Sequence, residues 1–280
     1  MRTVVNDNTG FTLIELVIVI LIMGVLSFIL VNILRGPMQA YLDVERRARL
    51  VDIAETALQR MTREIRLALP NSVRLSGSTA IEFLRTRDGG RYRNKGANRL
   101  KFNKQSDTFQ FLGPLNNFAT ILTGGASQAD CLIAPRTADC MVVYNAGNPG
   151  ANAYAGENIA AITAKNPGAS TLSFDLTPVT NFPIQSPSQR FQVVDTPVSF
   201  VCSGASITRY SDYSITVGQA VPPLGGNSNL LVDQVSVCSM TYDPGSATRA
   251  ALVTISITLQ DTNLGQSVTL LQQAHVPNQP

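Results

Sequence analysis

The hydrophobic pattern of the chain begins with an apolar run and a single charge. Residues 11–34 are predominantly apolar, and Glu15 is the one charged residue among these 24 positions. At about 1.5 Å of rise per residue, a helix of that length covers about 36 Å, more than the roughly 30 Å of a bilayer's hydrocarbon core. The pattern therefore predicts a membrane-spanning helix. A carboxylate inside lipid costs about 3 kcal/mol at mid-depth and less near the interface, so Glu15 is expected to have a partner.

A second, amphipathic helix is expected after the span. Gly36 and Pro37 predict a kink or a local break. Over 38–69 apolar residues recur every seven positions, with smaller ones beside them: Val44, Val51, Leu58 and Ile65, then Ala48, Ala54, Met61 and Ala68. The opposite face is polar, with Arg46, Arg49, Asp52, Gln59, Arg63 and Arg66. We interpret this as a helix that packs on a sheet and ends at Pro70, although a coiled-coil seam is the alternative.

From Asn71 onward the period of the pattern changes from helical to two. Strands are predicted at 80–86, 99–103, 108–112, 172–176, 191–194, 198–202, 235–242 and 253–259. Residues 104–107 are expected to join the second and third of these in a hairpin, and 113–168 to form long loops. The alternation predicts an antiparallel sheet with one face on the helix and one toward water.

Composition and charge narrow the classes of partner. The net charge is only +3 and 15% of residues are charged, so no overall field argues for nucleic acid. One basic run over 85–104 has a single acid, Asp88, against Arg85, Arg87, Arg91, Arg93, Lys95, Arg99, Lys101 and Lys104. It could bind an anionic partner. We favour the simpler interpretation of a solvated loop and hairpin whose charges keep a sheet edge unpaired.

The cysteines indicate an oxidising compartment. The chain has four, Cys131, Cys140, Cys202 and Cys238, and no C-x-x-C pair, which favours disulfides over a metal site. Three pairings are possible, and adjacency favours Cys131–Cys140 with Cys202–Cys238. Arginines that follow the apolar run would argue for a cytoplasmic C-terminal side, but large domains translocate largely regardless of charge.

The sequence offers little for catalysis. It has no G-x-S-x-G, no H-E-x-x-H and no phosphate-binding glycine loop. The single histidine, His275, lies near the end of the chain and is more simply a solvated or structural residue than a catalytic base. We therefore expect a protein that is not an enzyme and needs no cofactor or metal.

The junction of the leader and the apolar run carries a resemblance. Gly10-Phe11-Thr12-Leu13-Ile14-Glu15 resembles the processing signature of type IV prepilins and pseudopilins. That resemblance implies cleavage after Gly10 by prepilin peptidase, N-methylation of Phe11, and pairing of Glu15 with the terminal amine of a neighbouring subunit. Thr9 departs from the basic residue that often precedes the glycine. A secretory signal peptide would have a shorter apolar region, and a plain signal anchor would explain neither the Gly-Phe junction nor Glu15.

Later segments extend the resemblance to a minor pilin. GGRYR at 89–93, RFQVVDTPVSFVCS at 190–203 and HVPNQP at 275–280 resemble minor pilins of mannose-sensitive haemagglutinin (MSHA) pilus biogenesis, which are similar in plan to J-type pseudopilins. This implies a type IV pilin-like α+β fold with a leader at 1–10, a membrane and filament-core helix at 11–34, an amphipathic periplasmic helix at 35–70, and a β-rich domain at 71–280.

The resemblance also implies a role and partners. The expected role is to prime or cap pilus assembly near the filament tip, with the inner membrane and periplasm as the location before assembly. The implied partners are prepilin peptidase, other minor pilins, the major pilin and the inner-membrane assembly platform. A type II secretion pseudopilin is one alternative, and a membrane-anchored adhesin or binding module that never enters a filament is another.

Overall fold

The computed structural model describes residues 12–245, 249–261 and 265–277. It contains one long helix, one short helix and twelve strands in those ranges: α1 (Leu13–Ile65), β1 (Arg74–Ser76), β2 (Ala80–Tyr92), β3 (Ser106–Leu112), α2 (Ala129–Leu132), β4 (Cys140–Val143), β5 (Ile159–Asn166), β6 (Thr171–Asp175), β7 (Arg190–Ser203), β8 (Ser206–Ser211), β9 (Asn227–Val232), β10 (Val235–Asp243), β11 (Ala251–Gln260) and β12 (Ser267–Val276). All strand pairings are antiparallel. The predicted α+β, pilin-like layout is therefore confirmed.

The long helix passes through the position where a break was expected. Pro37 lies inside α1, and the helical backbone continues on both sides of it. Proline removes one backbone hydrogen bond from a helix. The remaining bonds carry the helix onward, so the expectation of a local break was wrong, while a kink at Pro37 stays a prediction.

The chain divides into two compact units, Met1–Arg49 and Leu50–Pro280. Within the second unit, the buried apolar residues of α1 and the turn after it are Leu50, Ala54, Ala57, Leu58, Met61, Ile65 and Ala68. Val44 and Ala48, which the heptad pattern placed on the same stripe, are exposed. The buried face follows the 3.6-residue period of a helix and begins only where the second unit begins.

The larger sheet has nine strands, and six of them close a circuit. Its order is β1-β2-β3-β6-β5-β4-β7-β8-β9, and β2 also pairs with β7. The pairings therefore run around β2, β3, β6, β5, β4 and β7 and back to β2. Each of the six strands contributes to one apolar cluster, which includes Tyr92, Phe109, Met141, Ile162, Phe174 and Phe191. These side chains share one face of the circuit and form the core of this part of the domain.

The smaller sheet has three strands in the order β10-β11-β12. Residues of β11 alternate between buried and half-buried along the strand, as the sequence predicted. The buried ones join a cluster that also includes the packed face of α1 and residues of the larger sheet, among them Ile81, Phe83, Val198 and Phe200. The packed part of α1 is therefore covered by side chains from both sheets, where a single sheet had been expected.

Some strand predictions were wrong, and packing explains why. Residues 99–103 are not a strand, because β2 continues to Tyr92 and pairs there with β3, which also pairs with β6. Leu100 and Phe102 are apolar because that loop packs inward, with the Phe102 ring 5.6 Å from that of Tyr92. The segments 191–194 and 198–202 are one strand, β7, that contains Pro197 opposite Leu84 beside an irregularity in β2. The pattern did not predict β1, β8, β9 or the bounds of β12, and the expectation of long loops over 113–168 was wrong where α2, β4 and β5 lie.

Candidate functional site

The residues expected to act in processing and assembly lie at the start of α1. Gly10 and Phe11 lie outside the described residues. Glu15 is in the first turn of α1, and its Oε2 accepts a hydrogen bond from Thr12 Oγ1 at 3.5 Å. The backbone N–H groups of Glu15 and Leu16 donate to the Thr12 carbonyl at 3.1 and 3.2 Å. A carboxylate at this place also faces the positive end of the helix dipole.

The surroundings of Glu15 are apolar and uncovered. Every described side chain over 13–34 is exposed. Among the described helices, α1 is the one long and apolar enough to cross a membrane, with a mean hydropathy of 3.0 over its most apolar 18 residues. None of the ion pairs formed by described residues includes Glu15. A carboxylate in lipid is costly without a counter-charge, and among the described residues no ion pair supplies one.

The first disulfide stabilises a loop of the domain. It joins Cys131, in α2, to Cys140, the first residue of β4, with 5.3 Å between the Cα atoms. Both cysteines are fully buried. The bond therefore closes the segment 131–140, which has little secondary structure of its own, against the edge of the six-strand circuit.

The second disulfide joins the two sheets. It connects Cys202 in β7 to Cys238 in β10, 36 residues further along the chain, with 6.4 Å between the Cα atoms. On a chain-entropy model, closing a loop of this length stabilises the folded state by about 4 kcal/mol, compared with about 3 kcal/mol for the shorter loop. These are the two pairs that adjacency in the sequence favoured.

The single histidine lies on the surface of the smaller sheet. His275 lies exposed on β12, where it pairs with Leu252 across the sheet. Across the described ranges, no group of three or more His, Cys, Asp or Glu residues is arranged to hold a metal ion.

The basic run over 85–104 separates into two parts. Arg85 and Arg87 lie in β2 and pair with buried acids: Arg85 with Asp195 at 2.6 Å, and Arg87 with Asp139 at 3.3 Å. Lys101 pairs with Asp107 at 3.0 Å. The other basic residues of the run, Arg91, Arg93, Lys95, Arg99 and Lys104, are exposed. The interpretation as solvated charges therefore holds for these five exposed residues alone. The predicted hairpin is absent.

The two arginines of β2 line a cleft of about 550 Å³ in the second unit. Its walls come from five parts of the chain: β2, Leu122, the loop closed by the first disulfide, the Asp195–Thr196 step of β7, and segment 212–227. The charged residues that line it are three arginines and three aspartates: Arg85, Arg87, Arg136, Asp139, Asp195 and Asp212. We call this feature the Arg–Asp cleft.

Burial and pairing shift the pKa values of these groups in different directions. Burial raises the pKa of Asp139, and the Leu122 N–H and Arg87 only partly oppose it. For Asp212 burial also acts to raise the pKa, but the Asn227 amide and the charge of Arg136 outweigh it, so the pKa is lowered. Burial lowers the pKa of Arg136 despite the nearby Asp212. The two pKa values move in opposite directions because Asp139 is much more deeply buried and Asp212 has more side-chain donors.

Sequence reasoning did not find most of this cleft. Arg85 and Arg87 were singled out because of local charge density, but Arg136, Asp139, Asp195 and Asp212 are isolated charges in the sequence. The pairs they form join residues as far as 110 positions apart, as in Arg85–Asp195. The sequence held no local signal for them, because the pairing of β7 with β2, β4 and β8 brings these distant segments together.

Comparison with known proteins identifies the N-terminal segment. Residues 5–31 match the family model of the prokaryotic N-terminal methylation motif. No curated protein matches the chain, and no solved structure does.

The motif and the fold together define a class. A methylation motif at the N-terminus, one apolar helix and an antiparallel β domain support a type IV prepilin-like protein. The motif implies processing by prepilin peptidase and assembly with other pilins. Proteins with this motif are structural rather than enzymatic, and the apolar helix fits membrane anchoring of a pilin.

Proposed function

We propose that this chain is a minor pilin that primes or caps assembly of an MSHA-type pilus near the filament tip. The observation that carries the proposal is the exposed apolar start of α1, with Glu15 in its first turn and the methylation motif across it. In a subunit waiting in the inner membrane this segment would lie in lipid, and in a filament it would pack against the helices of other subunits. The β domain would then be periplasmic before assembly.

The subtype rests on sequence segments that meet in the fold. GGRYR over 89–93 lies at the end of β2 and RFQVVDTPVSFVCS over 190–203 is β7, and the two pair directly, with Gly89 opposite Gln192 and Arg91 opposite Arg190. A side chain at Gly90 would meet the Phe191 ring at 3.1 Å, so the glycine allows this close approach. Two of the three segments that resemble the O-type minor pilin of MSHA biogenesis, MshO, thus lie side by side in the larger sheet, and the third begins on β12 of the smaller sheet.

The site residues take their proposed roles from the motif. Cleavage between Gly10 and Phe11 would free the Phe11 amine for methylation. Glu15 would then neutralise the terminal amine of a subunit already placed above it. Because an unpaired carboxylate and an unpaired ammonium are each costly in lipid, pairing favours entry of the subunit into the filament. A chain that retains Glu15 would therefore sit beneath at least one other minor subunit.

Mass spectrometry of the purified protein tests the processing step. Removal of residues 1–10 from the 280-residue chain should leave a chain that begins with N-methylated Phe11. Detection of an intact Met1 in cells that contain the peptidase would contradict the assignment. Substitution of Gly10 by a bulkier residue should trap the precursor in the membrane.

Co-purification tests the assembly step. Glu15→Val should insert and be cleaved normally, because the span becomes more apolar, but should recover other minor pilins, the major pilin and the assembly platform poorly. Glu15→Asp, which keeps the charge, is the matched control. Normal piliation and normal recovery with Glu15→Val would instead favour a membrane-anchored adhesin.

The genes that flank this one separate the proposal from a type II pseudopilin. Genes of an MSHA cluster would support the proposal, and genes of a secretion cluster would support the pseudopilin.

A further inference from the structure

We propose that the Arg–Asp cleft is a docking site for an acidic side chain, Asp or Glu, of another protein. The proposal concerns the second unit alone and does not depend on the role proposed for Glu15. It rests on three features of the cleft: the aspartates already have donors, two guanidiniums each have an unused donor, and the rim is apolar and exposed.

The acceptors of the cleft are already satisfied. Asp195 receives two hydrogen bonds from Arg85, Nε to Oδ1 at 3.0 Å and Nη2 to Oδ2 at 2.6 Å. Asp139 Oδ2 accepts from the Leu122 N–H at 2.9 Å. Asp212 accepts from Arg136 Nη2 through Oδ1 and from Asn227 Nδ2 through Oδ2, each at 2.9 Å, and from Ser211 Oγ at 3.2 Å. The three aspartates therefore have little capacity to attract a cation.

The donors are in surplus. Nη1 of Arg136 is buried and has no hydrogen-bond partner among the described residues. The same holds for Nε of Arg87, which lies 3.3 Å from Asp139 Oδ2 but is not aligned for a hydrogen bond. The side chain of Arg136 is only 7% exposed, and it lines the cleft. A buried donor without a partner is destabilising, and a carboxylate is an anionic acceptor that a guanidinium binds strongly.

The rim indicates a protein as the source of that carboxylate. Leu122 and Leu224 line the cleft and are 50% and 84% exposed. Val217 and Val221, from the same segment as Leu224, are also exposed. A small free anion would leave these side chains in water. An acidic side chain with apolar neighbours would cover them and exclude water from the charge pair, as at the energetic centres of protein interfaces.

The cleft is held in place before any partner arrives. The first disulfide closes the loop that carries Arg136, and Ser214 Oγ accepts from the Ala134 N–H at 3.0 Å. Gly226 has φ +73°, and a Cβ there would collide with the Ser211 carbonyl, so the segment 224–226 lies directly against Asp212. A site that is already formed loses less conformational entropy when a partner binds.

Peptide binding to the full-length processed protein in detergent micelles tests the proposal. The probe is a fluorescein-labelled peptide, Leu-Glu-Leu with blocked ends, and Leu-Gln-Leu and Ser-Glu-Ser are the matched controls, measured by anisotropy against empty micelles. We expect the Glu probe to bind at least about tenfold more tightly than the Gln probe, because a charge-assisted hydrogen bond is lost. Arg136→Lys, which keeps the charge opposite Asp212 but removes the second arm of the fork, should weaken binding of the Glu probe by a similar factor.

The control variant is Arg91→Lys, since Arg91 is exposed on β2, the strand that carries Arg85 and Arg87, and does not line the cleft. It should bind as the unaltered protein does. Both variants should retain two disulfides and the same thermal unfolding midpoint. Equal binding of the Glu and Gln probes, or no effect of Arg136→Lys, would overturn the proposal and indicate that buried water satisfies Arg136. Equal binding of Ser-Glu-Ser, with competition by sodium acetate, would overturn the protein partner and indicate a site for small carboxylates.

Discussion

The two ends of α1 place their apolar residues in opposite environments. In the first unit apolar side chains surround the helix and are exposed, as with Leu26 at 49%. In the second unit they lie on one face and are buried, as with Leu58 at 2%. One continuous helix therefore has an exposed apolar part and a part with one buried apolar face. The packed part is complete within this chain, but the exposed part requires lipid or the helices of other subunits to cover it.

The difference also appears in the ion pairs of the helix. Asp43 and Arg46 pair at 3.6 Å with both side chains more than 40% exposed. Glu64 pairs with Arg209 of β8 at 2.8 Å, and both side chains are about nine-tenths buried. Water screens the first pair, whereas the second connects the helix to the larger sheet in a nearly dry interior. An ion pair between a carboxylate and an arginine thus contributes little to stability in the first unit, whereas in the second unit it determines how the helix packs.

The largest expected effect comes from separating the two regions. A fragment of residues 50–280 retains the clusters and both disulfides, so it should appear in the soluble periplasmic fraction when secreted. Residues 1–49 fused to a soluble reporter should direct that reporter to the membrane. Cell fractionation with immunoblotting measures both. Recovery of the 50–280 fragment in the membrane pellet would show that the second region also contacts lipid.

Removal of one partner of the buried ion pair should have the next largest effect. Glu64→Gln leaves Arg209 buried beside an uncharged group and should lower the free energy of unfolding by about 3–5 kcal/mol. The matched control, Asp43→Asn in the exposed pair, should change it by less than about 0.5 kcal/mol. Urea unfolding in detergent, followed by near-ultraviolet circular dichroism, gives both values. Similar small values for the two variants would contradict the contrast.

Loss of the disulfide that joins the two sheets should change the stability of the second unit only. Replacing both Cys202 and Cys238 by serine should lower the free energy of unfolding by about 2–4 kcal/mol, because the unfolded chain loses a constraint. Partition into the membrane should not change, since all described cysteines lie after Leu50. Urea titration and fractionation of the same preparation measure both outcomes. A shift of the protein out of the membrane fraction would refute the independence of the two regions.

The same leucine-to-alanine substitution in each part of α1 tests the comparison directly. Leu58→Ala should cost about 3 kcal/mol, within the range for a buried leucine that leaves a cavity. Leu26→Ala removes the same atoms from an exposed position and should leave the free energy of unfolding of the domain unchanged. Equal losses would mean that residue 26 packs against the domain in solution.

Much of this fold could be predicted from local patterns. The apolar run, the polar face of the following helix segment and the alternation along β11 all depend on residues close together in sequence, so periodicity reveals them. The methylation motif is likewise a short contiguous signal. Errors arose where a loop has the same apolar alternation as a strand. Leu100 and Phe102 alternate as strand residues do, but they lie in a loop and pack into the core near Tyr92.

By itself, the sequence determined where the chain enters an apolar environment, where Glu15 lies in it, and that a disulfide-bonded antiparallel domain follows. Only the tertiary structure decided that the strands form two sheets, that β2 and β7 close a six-strand circuit, and that Arg136 meets Asp212 at 2.9 Å. The physical reason is the distance along the chain between the residues that interact. Helical and strand periodicity arise from backbone geometry over a few residues, whereas strand partners and buried charge pairs depend on contacts between segments far apart in the chain.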